Sequence, residues 1–160
     1  MPIITPDTTQ IEIVTADDTP CGPTRMLRFS DTGGLTQFGA FVEILPPGSR
    51  SSLCHWHREE DEFIYMLTGQ VTVHEGGVAT KLNPGEAVCF KAGVAAGHYL
   101  KNESDADSTY LVVGTRGAKD VITYPNHDRI YYADGEGAED RFTTIDGVKA
   151  VGSAYRLPGA

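Results

Sequence analysis

Positive charge is what this chain has little of. Thirteen Lys and Arg residues stand against 22 Asp and Glu, a formal net charge of −9. A phosphate backbone is bound through a basic face that releases counterions, so the deficit argues against a nucleic-acid partner. It argues equally against an anionic membrane surface. Cysteine is also scarce. Cys21, Cys54 and Cys89 cannot all pair within one chain, and a sparse, odd set fits a reducing compartment. Cys54 and Cys89 are expected to pack as small buried hydrophobes. No stretch approaches the roughly 18 apolar residues of a membrane span. The start, Met1 to Asp7, has neither the basic beginning nor the apolar run of a secretory signal, so a cytoplasmic location is expected. Long helices are missing too, since no segment of roughly 15 residues keeps a clean helical period.

What the chain does have is turn chemistry. Its 160 residues include 18 Gly and 9 Pro, and their spacing punctuates short β-rich runs. Strand candidates are Ile11–Val14, Arg25–Phe29, Thr36–Leu45, Leu53–His57, Glu62–Leu67, Gln70–His74, Ala87–Lys91, His98–Lys101 and Ser108–Val113. Weaker ones follow at Asp120–Tyr124, Arg129–Tyr132 and Arg141–Thr144, with Tyr124–Asp128 as a turn. Strands at this spacing predict an all-β sandwich or barrel. The length suits one domain, able to bury a core without disulfides. In Glu62–Leu67, Ile64 and Met66 share one face while Phe63, Tyr65 and Leu67 share the other. Apolar residues on both faces call for cover on both, from a second layer or an oligomer interface, and a homodimer is expected.

The stretch from Gly48 to Gly69 carries the chemistry. Residues two apart on a strand face the same way, so His55 and His57 present both imidazoles together. Two such rings suit a divalent transition metal. A turn at Arg58–Asp61 would fold the next strand back and bring Glu62 alongside, and barrel closure could bring His98 to the same point. The plainer alternative is a pair of exposed histidines beside an acidic turn. Among the adjacent acids, Glu62 is favoured because the turn ends there and it shares a face with Ile64 and Met66, whereas Glu59 to Asp61 read as solvated. His74 and His127 read as surface residues.

These residues resemble the cupin superfamily. Its first motif is written G-x5-H-x-H-x3/4-E-x6-G, which Gly48, His55, His57, Glu62 and Gly69 match with one extra residue before His55. Its second, G-x5-P-x-G-x2-H-x3-N, is matched by Gly85, Gly93, His98 and Asn102. Lys91 takes the place of the proline, and four residues rather than two separate Gly93 from His98. The resemblance implies an antiparallel β-barrel of the jelly-roll, or double-stranded β-helix, type. Residues 1–34 would form an arm and strands packed on it, 35–116 the barrel, and 117–160 a C-terminal extension. It also implies one divalent metal ion (Zn, Mn, Fe or Ni) held by His55, His57, Glu62 and His98.

Three readings of such a site follow. The first is an enzyme resembling the sugar-phosphate isomerase cupins, in which the metal polarises a carbonyl or enediol of a small polar metabolite. Lys91 would then be a candidate contact for the phosphate, or else a lysine lying along the barrel. Arg50 reads as a loop residue. The second reading is an Fe(II) dioxygenase, and the third a metal- or ligand-sensing module without turnover. The sequence names no general acid or base.

Overall fold

In the run Phe38–Leu45 every second side chain turns inward, and the same alternation in Glu62–Thr68 and Ser108–Thr115 builds one wall of a barrel. The computed structural model describes residues 3–135, 137–139 and 141–156, so both chain ends lie outside the described residues. In chain order the elements are β1 (Gln10–Val14), β2 (Thr24–Arg28), a single helical turn α1 (Phe29–Thr32) and β3 (Phe38–Leu45). Next come β4 (Trp56–His57), β5 (Glu62–Thr68), β6 (Val71–Glu75), β7 (Val78–Leu82), β8 (Ala87–Phe90), β9 (His98–Lys101) and β10 (Ser108–Thr115). A C-terminal group follows: β11 (Asp120–Tyr124), β12 (Arg129–Ala133), β13 (Arg141–Thr143) and β14 (Lys149–Ala150). Short 3-10 turns occupy Pro125–His127, where a turn is expected, and Ala154–Arg156.

All pairings are antiparallel. A six-stranded sheet runs β1-β2-β3-β10-β5-β8, facing a three-stranded sheet β7-β6-β9, and a five-stranded sheet runs β14-β13-β12-β11-β4. Leu45, Met66 and Tyr110 from the large sheet and Val71, Leu82 and Leu100 from the small one close the core between them. Full burial of each such side chain stabilises by about 1.5–3 kcal/mol. A second, smaller core of Cys21, Leu53, Tyr124 and Ala154 ties the C-terminal sheet to the barrel.

Register orders the inner wall in rows. Glu43 lies opposite Tyr110, and Tyr110 opposite Met66; Phe41, Val112 and Ile64 make the next row; Gly39, Gly114 and Glu62 make the last. Two of the three positions in that last row have no side chain, so the barrel stays open beside Glu62. The guanidinium of Arg116 fills part of the space, and a Cβ added to Gly39 would lie 3.2 Å from its Nε.

The strand expected over Leu53–His57 is regular only at Trp56–His57. His55 exchanges backbone hydrogen bonds with His98 (3.3 and 2.8 Å), whereas His57 pairs with Ile122 of β11. Within two residues the chain passes from one sheet to another, which prevents a longer ladder. Strand β7 was not expected, because only Leu82 of its five residues is buried and no alternation marks it. Gly76 and Gly77, with φ of 55° and 87°, supply the two left-handed positions of the turn joining it to β6.

Two expectations are corrected. Cys89 is exposed rather than packed, since on edge strand β8 it faces outward beside Phe63 while Phe90 takes the inner position. Cys54 is half-buried. His74 is not a free surface residue: its ring stacks on Tyr99 at 4.5 Å between centroids, and its Nε2 is buried. The outer face of β5 is uncovered within the chain, with Phe63, Tyr65 and Leu67 each 36–40% exposed.

Candidate metal centre

Each histidine of the expected set is aimed by a different anchor. The Nδ1–H of His55 donates to the Leu53 carbonyl at 2.8 Å, so in the neutral ring its Nε2 carries a lone pair. The Nδ1–H of His57 donates to the Asp120 carboxylate at 2.5 Å, leaving its Nε2 in the same state. Those two Nε2 atoms stand 3.0 Å apart. His98, fixed in β9 and stacked on Phe90 with ring centroids 3.6 Å apart, places its Nε2 3.0 Å from Glu62 Oε2. The ligand atoms of His55, Glu62 and His98 all lie within 4.8 Å of one another.

Facing lone pairs at that distance repel unless a cation lies between them. A proton would satisfy two nitrogens, but a third imidazole and a carboxylate converge on the same point, a donor set that suits a transition metal ion. The electrostatics agree. Burial, reinforced by the neighbouring His57 and His98 rings, pushes His55 down to about 4 and keeps it neutral. Burial alone would raise Glu62, yet the hydrogen bond and charge of His98 outweigh it and hold the carboxyl below its ordinary range. His55, Glu62 and His98 thus bring their ligand atoms together, and His57 reaches this group through the contact of its Nε2 with that of His55.

Several residues at this place were not foreseen. Asp120 on β11 is 4% exposed; one carboxylate oxygen accepts from His57 and the other from the Glu59 amide at 3.0 Å. Burial lifts its carboxyl, but those hydrogen bonds prevail and keep it ionised. A carboxylate behind a histidine fixes ring and tautomer and raises the basicity of the free nitrogen. It lies 63 residues along the chain from His57, so no local pattern could reveal it. Glu60, expected to be solvated, completes a second close group with His57 and Asp120. Its carboxylate accepts from the Gly117 amide at 2.8 Å, and partial burial raises it. Asp61 likewise accepts from the Ala92 amide at 2.7 Å, so this turn is organised rather than merely hydrated.

Two cavities meet at the centre and share Phe41, Glu62 and Val112. An outer one of about 220 Å³ opens past His57 and Glu62 toward Arg28 and Arg116, which are ion-paired with Glu12 and Asp31. An inner one of about 120 Å³ is lined by His55, Glu62 and His98 together with Glu43 and Tyr110. Lys91 is exposed just beyond β8 and lies at a shallow rim pocket with His57, Glu62 and His98. Arg50 sits in the loop before β4, its guanidinium 3.4 Å from the Pro20 carbonyl. Asn102, the last residue of the second motif, is fully buried away from the centre. Its amide donates to the Leu45 and Ala106 carbonyls, and its backbone carbonyl accepts from Gly48. The motif glycine and asparagine thus tie two loops together.

Comparison with known proteins agrees with this architecture. The cupin domain family profile matches residues 41–114. No functionally curated protein matches the sequence. Among solved structures, a cupin-superfamily sugar phosphate isomerase from Silicibacter pomeroyi is 32% identical, with a TM-score of 0.80, over 94% of this chain and 97% of that one. A candidate sugar phosphate isomerase from Acidithiobacillus ferrooxidans is 26% identical, with a TM-score of 0.74, over 84% of each chain. A predicted oxalate decarboxylase from Thermotoga maritima shares the fold at 20% identity and a TM-score of 0.60, over 72% of this chain and 99% of that one. With the barrel, the converging histidines and a likeness that runs nearly end to end, the chain belongs to the cupin superfamily.

Proposed function

We propose that this protein is a metal-dependent enzyme that interconverts aldose and ketose forms of a small phosphorylated sugar. One divalent transition metal would be held by His55, His57, Glu62 and His98. The observation that carries the reading is the pair of bare imidazole nitrogens 3.0 Å apart beside a third imidazole and a carboxylate. The reaction class draws support from the sugar phosphate isomerase of Silicibacter pomeroyi, similar over almost the whole of both chains.

The bound ion supplies electrophilic polarisation of a substrate carbonyl and steadies the negative charge that develops on its oxygen. The chain's own residues do the rest. Asp120 holds His57 in one tautomer, and the Leu53 carbonyl does the same for His55. Phe41 and Val112 line both cavities and would give the reacting carbons an apolar wall. Lys91 at the rim and Arg28 and Arg116 in the outer cavity provide cationic groups for a phosphate. The small volumes suit a metabolite rather than a polymer. The protein would act as a homodimer through the open β5 face; a monomeric mass by light scattering at micromolar concentration counts against that.

The test is metal analysis of the purified protein, then assays of the reconstituted form. Stoichiometric metal and conversion of aldose phosphates to ketose phosphates support the reading. Oxygen uptake with an Fe(II)-loaded protein would replace it by a dioxygenase, and tight ligand binding without turnover by a sensor.

A further inference from the structure

Glu43 is a charged residue in the middle of an apolar strand, between Val42 and Ile44, and the centre described above has no use for it. It is 4% exposed. Its Oε1 accepts one hydrogen bond, from the Thr24 hydroxyl at 2.8 Å. Across the ladder its register partner is Tyr110, wholly buried, whose hydroxyl is near enough to the carboxyl to lower it but lies outside strict hydrogen-bonding geometry. Both side chains line the inner cavity, as do His55, Glu62 and His98.

A purely structural role explains this poorly. Burying a carboxyl with no donors but the Thr24 hydroxyl and the nearby Tyr110 hydroxyl costs stability; an apolar pair would pack the same wall at no such cost. Burial pushes the Glu43 carboxyl up to about 7, against the opposing hydroxyls of Thr24 and Tyr110, with Glu62 adding to the rise and Arg28 reducing it. Burial also lifts the Tyr110 phenol well above its ordinary value, so it remains a donor. A buried carboxyl and phenol lining a cavity together with candidate metal ligands mark a place for a reacting molecule.

We propose that Glu43, with Tyr110 beside it, is the proton carrier of the isomerisation, a proposal that rests on the aldose–ketose reading above. In the first half, the C–H bond next to the aldehyde breaks. Its proton passes to the Glu43 carboxylate, its electron pair becomes the carbon–carbon double bond, and the carbonyl π pair moves onto the terminal oxygen. In the second half, Glu43 returns the proton to the terminal carbon and the double-bond pair forms the new C–H bond. The neighbouring oxygen closes to a carbonyl, and its hydroxyl proton passes to the terminal oxygen with the Tyr110 hydroxyl placed as relay. No oxidant or reductant is consumed, and the carboxylate is regenerated. Glu62 is less suited, because its Oε2 is already engaged beside His98.

The experiment uses metal-loaded full-length protein in D2O, with a panel of aldose phosphates from glyceraldehyde 3-phosphate to glucose 6-phosphate followed by proton NMR. The wild type is expected to give ketose carrying solvent deuterium on the terminal carbon. Glu43→Gln is expected to lower kcat by about 10³-fold with KM and metal content unchanged, the scale of a lost general acid–base group. Tyr110→Phe is expected to lower kcat by about tenfold. Turnover of Glu43→Gln within threefold of wild type overturns the assignment. So does ketose without solvent deuterium, or loss of metal together with turnover, which would make Glu43 a support of the ligands. Should Glu43→Gln not fold, Glu43→Asp takes its place: a carboxyl drawn back by one methylene must lower kcat and leave KM, and an unchanged kcat overturns the proposal. A wild type that isomerises no member of the panel overturns the isomerase reading and its proton carrier together.

Discussion

The histidine cluster and the wall formed by Glu43 and Tyr110 handle buried polarity in opposite ways. In the cluster, His55 and His57 are each tethered at Nδ1, so that the Nε2 of each neutral ring keeps a free electron pair. On the wall, Glu43 accepts from Thr24, and the Tyr110 hydroxyl lies near enough to lower its carboxyl. Burial lowers His55 and raises Glu43, so both groups tend toward the neutral form before anything binds. The difference teaches what each is prepared for. The cluster, with tautomers set from behind, fits the proposed cation, and the wall, with a raised carboxyl, fits the proposed proton carrier.

The largest effect that separates the two should come from His57→Ala. Metal content measured after dialysis should fall from near stoichiometric to below about a tenth, because the ring contributes a ligand and the partner of Asp120 at once. Retention of stoichiometric metal would remove His57 from the set. Asp120→Asn, which keeps shape but weakens the tether, should reduce metal affinity by about 10–100-fold in competition with a chelator. An unchanged affinity would make the Asp120 contact incidental.

Stability against pH contrasts the two directly in chelator-stripped protein. His55 has a folded value near 4 against 6.5 in a model peptide, so the unfolded chain binds the proton more readily. Its contribution is therefore present above about 6.5 and lost as pH falls toward 4. Glu43 runs the other way. Its value is raised from 4.5 to about 7, so its contribution is present below 4.5 and lost as pH rises through 7. Glu43→Gln should consequently raise the melting temperature at pH 8 by about 3–5 °C and change it little at pH 5. A destabilised variant at pH 8 would contradict the burial argument. The smallest effect is expected from Glu60→Gln, which should alter metal affinity less than threefold, since that carboxylate belongs to the rim group with Asp120 and is held by the Gly117 amide.

Much of the barrel was legible because inner strands alternate, and alternation fixes which face is buried; Ile64 and Met66 point inward as their spacing requires. The proximity of His55, His57, Glu62 and His98 was legible because the motifs place them where barrel closure brings distant segments together. Strand β7 was not, since a mostly exposed strand has no hydrophobic signature. Cys89 was misplaced because a small apolar residue on an edge strand can face either way. Asp120 depends on a pairing between β4 and β11 that no short-range pattern encodes. Glu43 left a trace, one carboxylate within eight otherwise uncharged residues, and that trace could have been followed.

The pairing of β4 with β11 has a further consequence. His55 is anchored to β9 inside the barrel and His57 to a strand of the C-terminal sheet, only two residues on. An ion gripping both would act as a clasp across the seam between the sheets. A truncated version limited to residues 41–114, the span of the family profile, would lack Asp120 and the strand that steadies His57. The smallest portable unit of this protein is therefore larger than its recognisable domain.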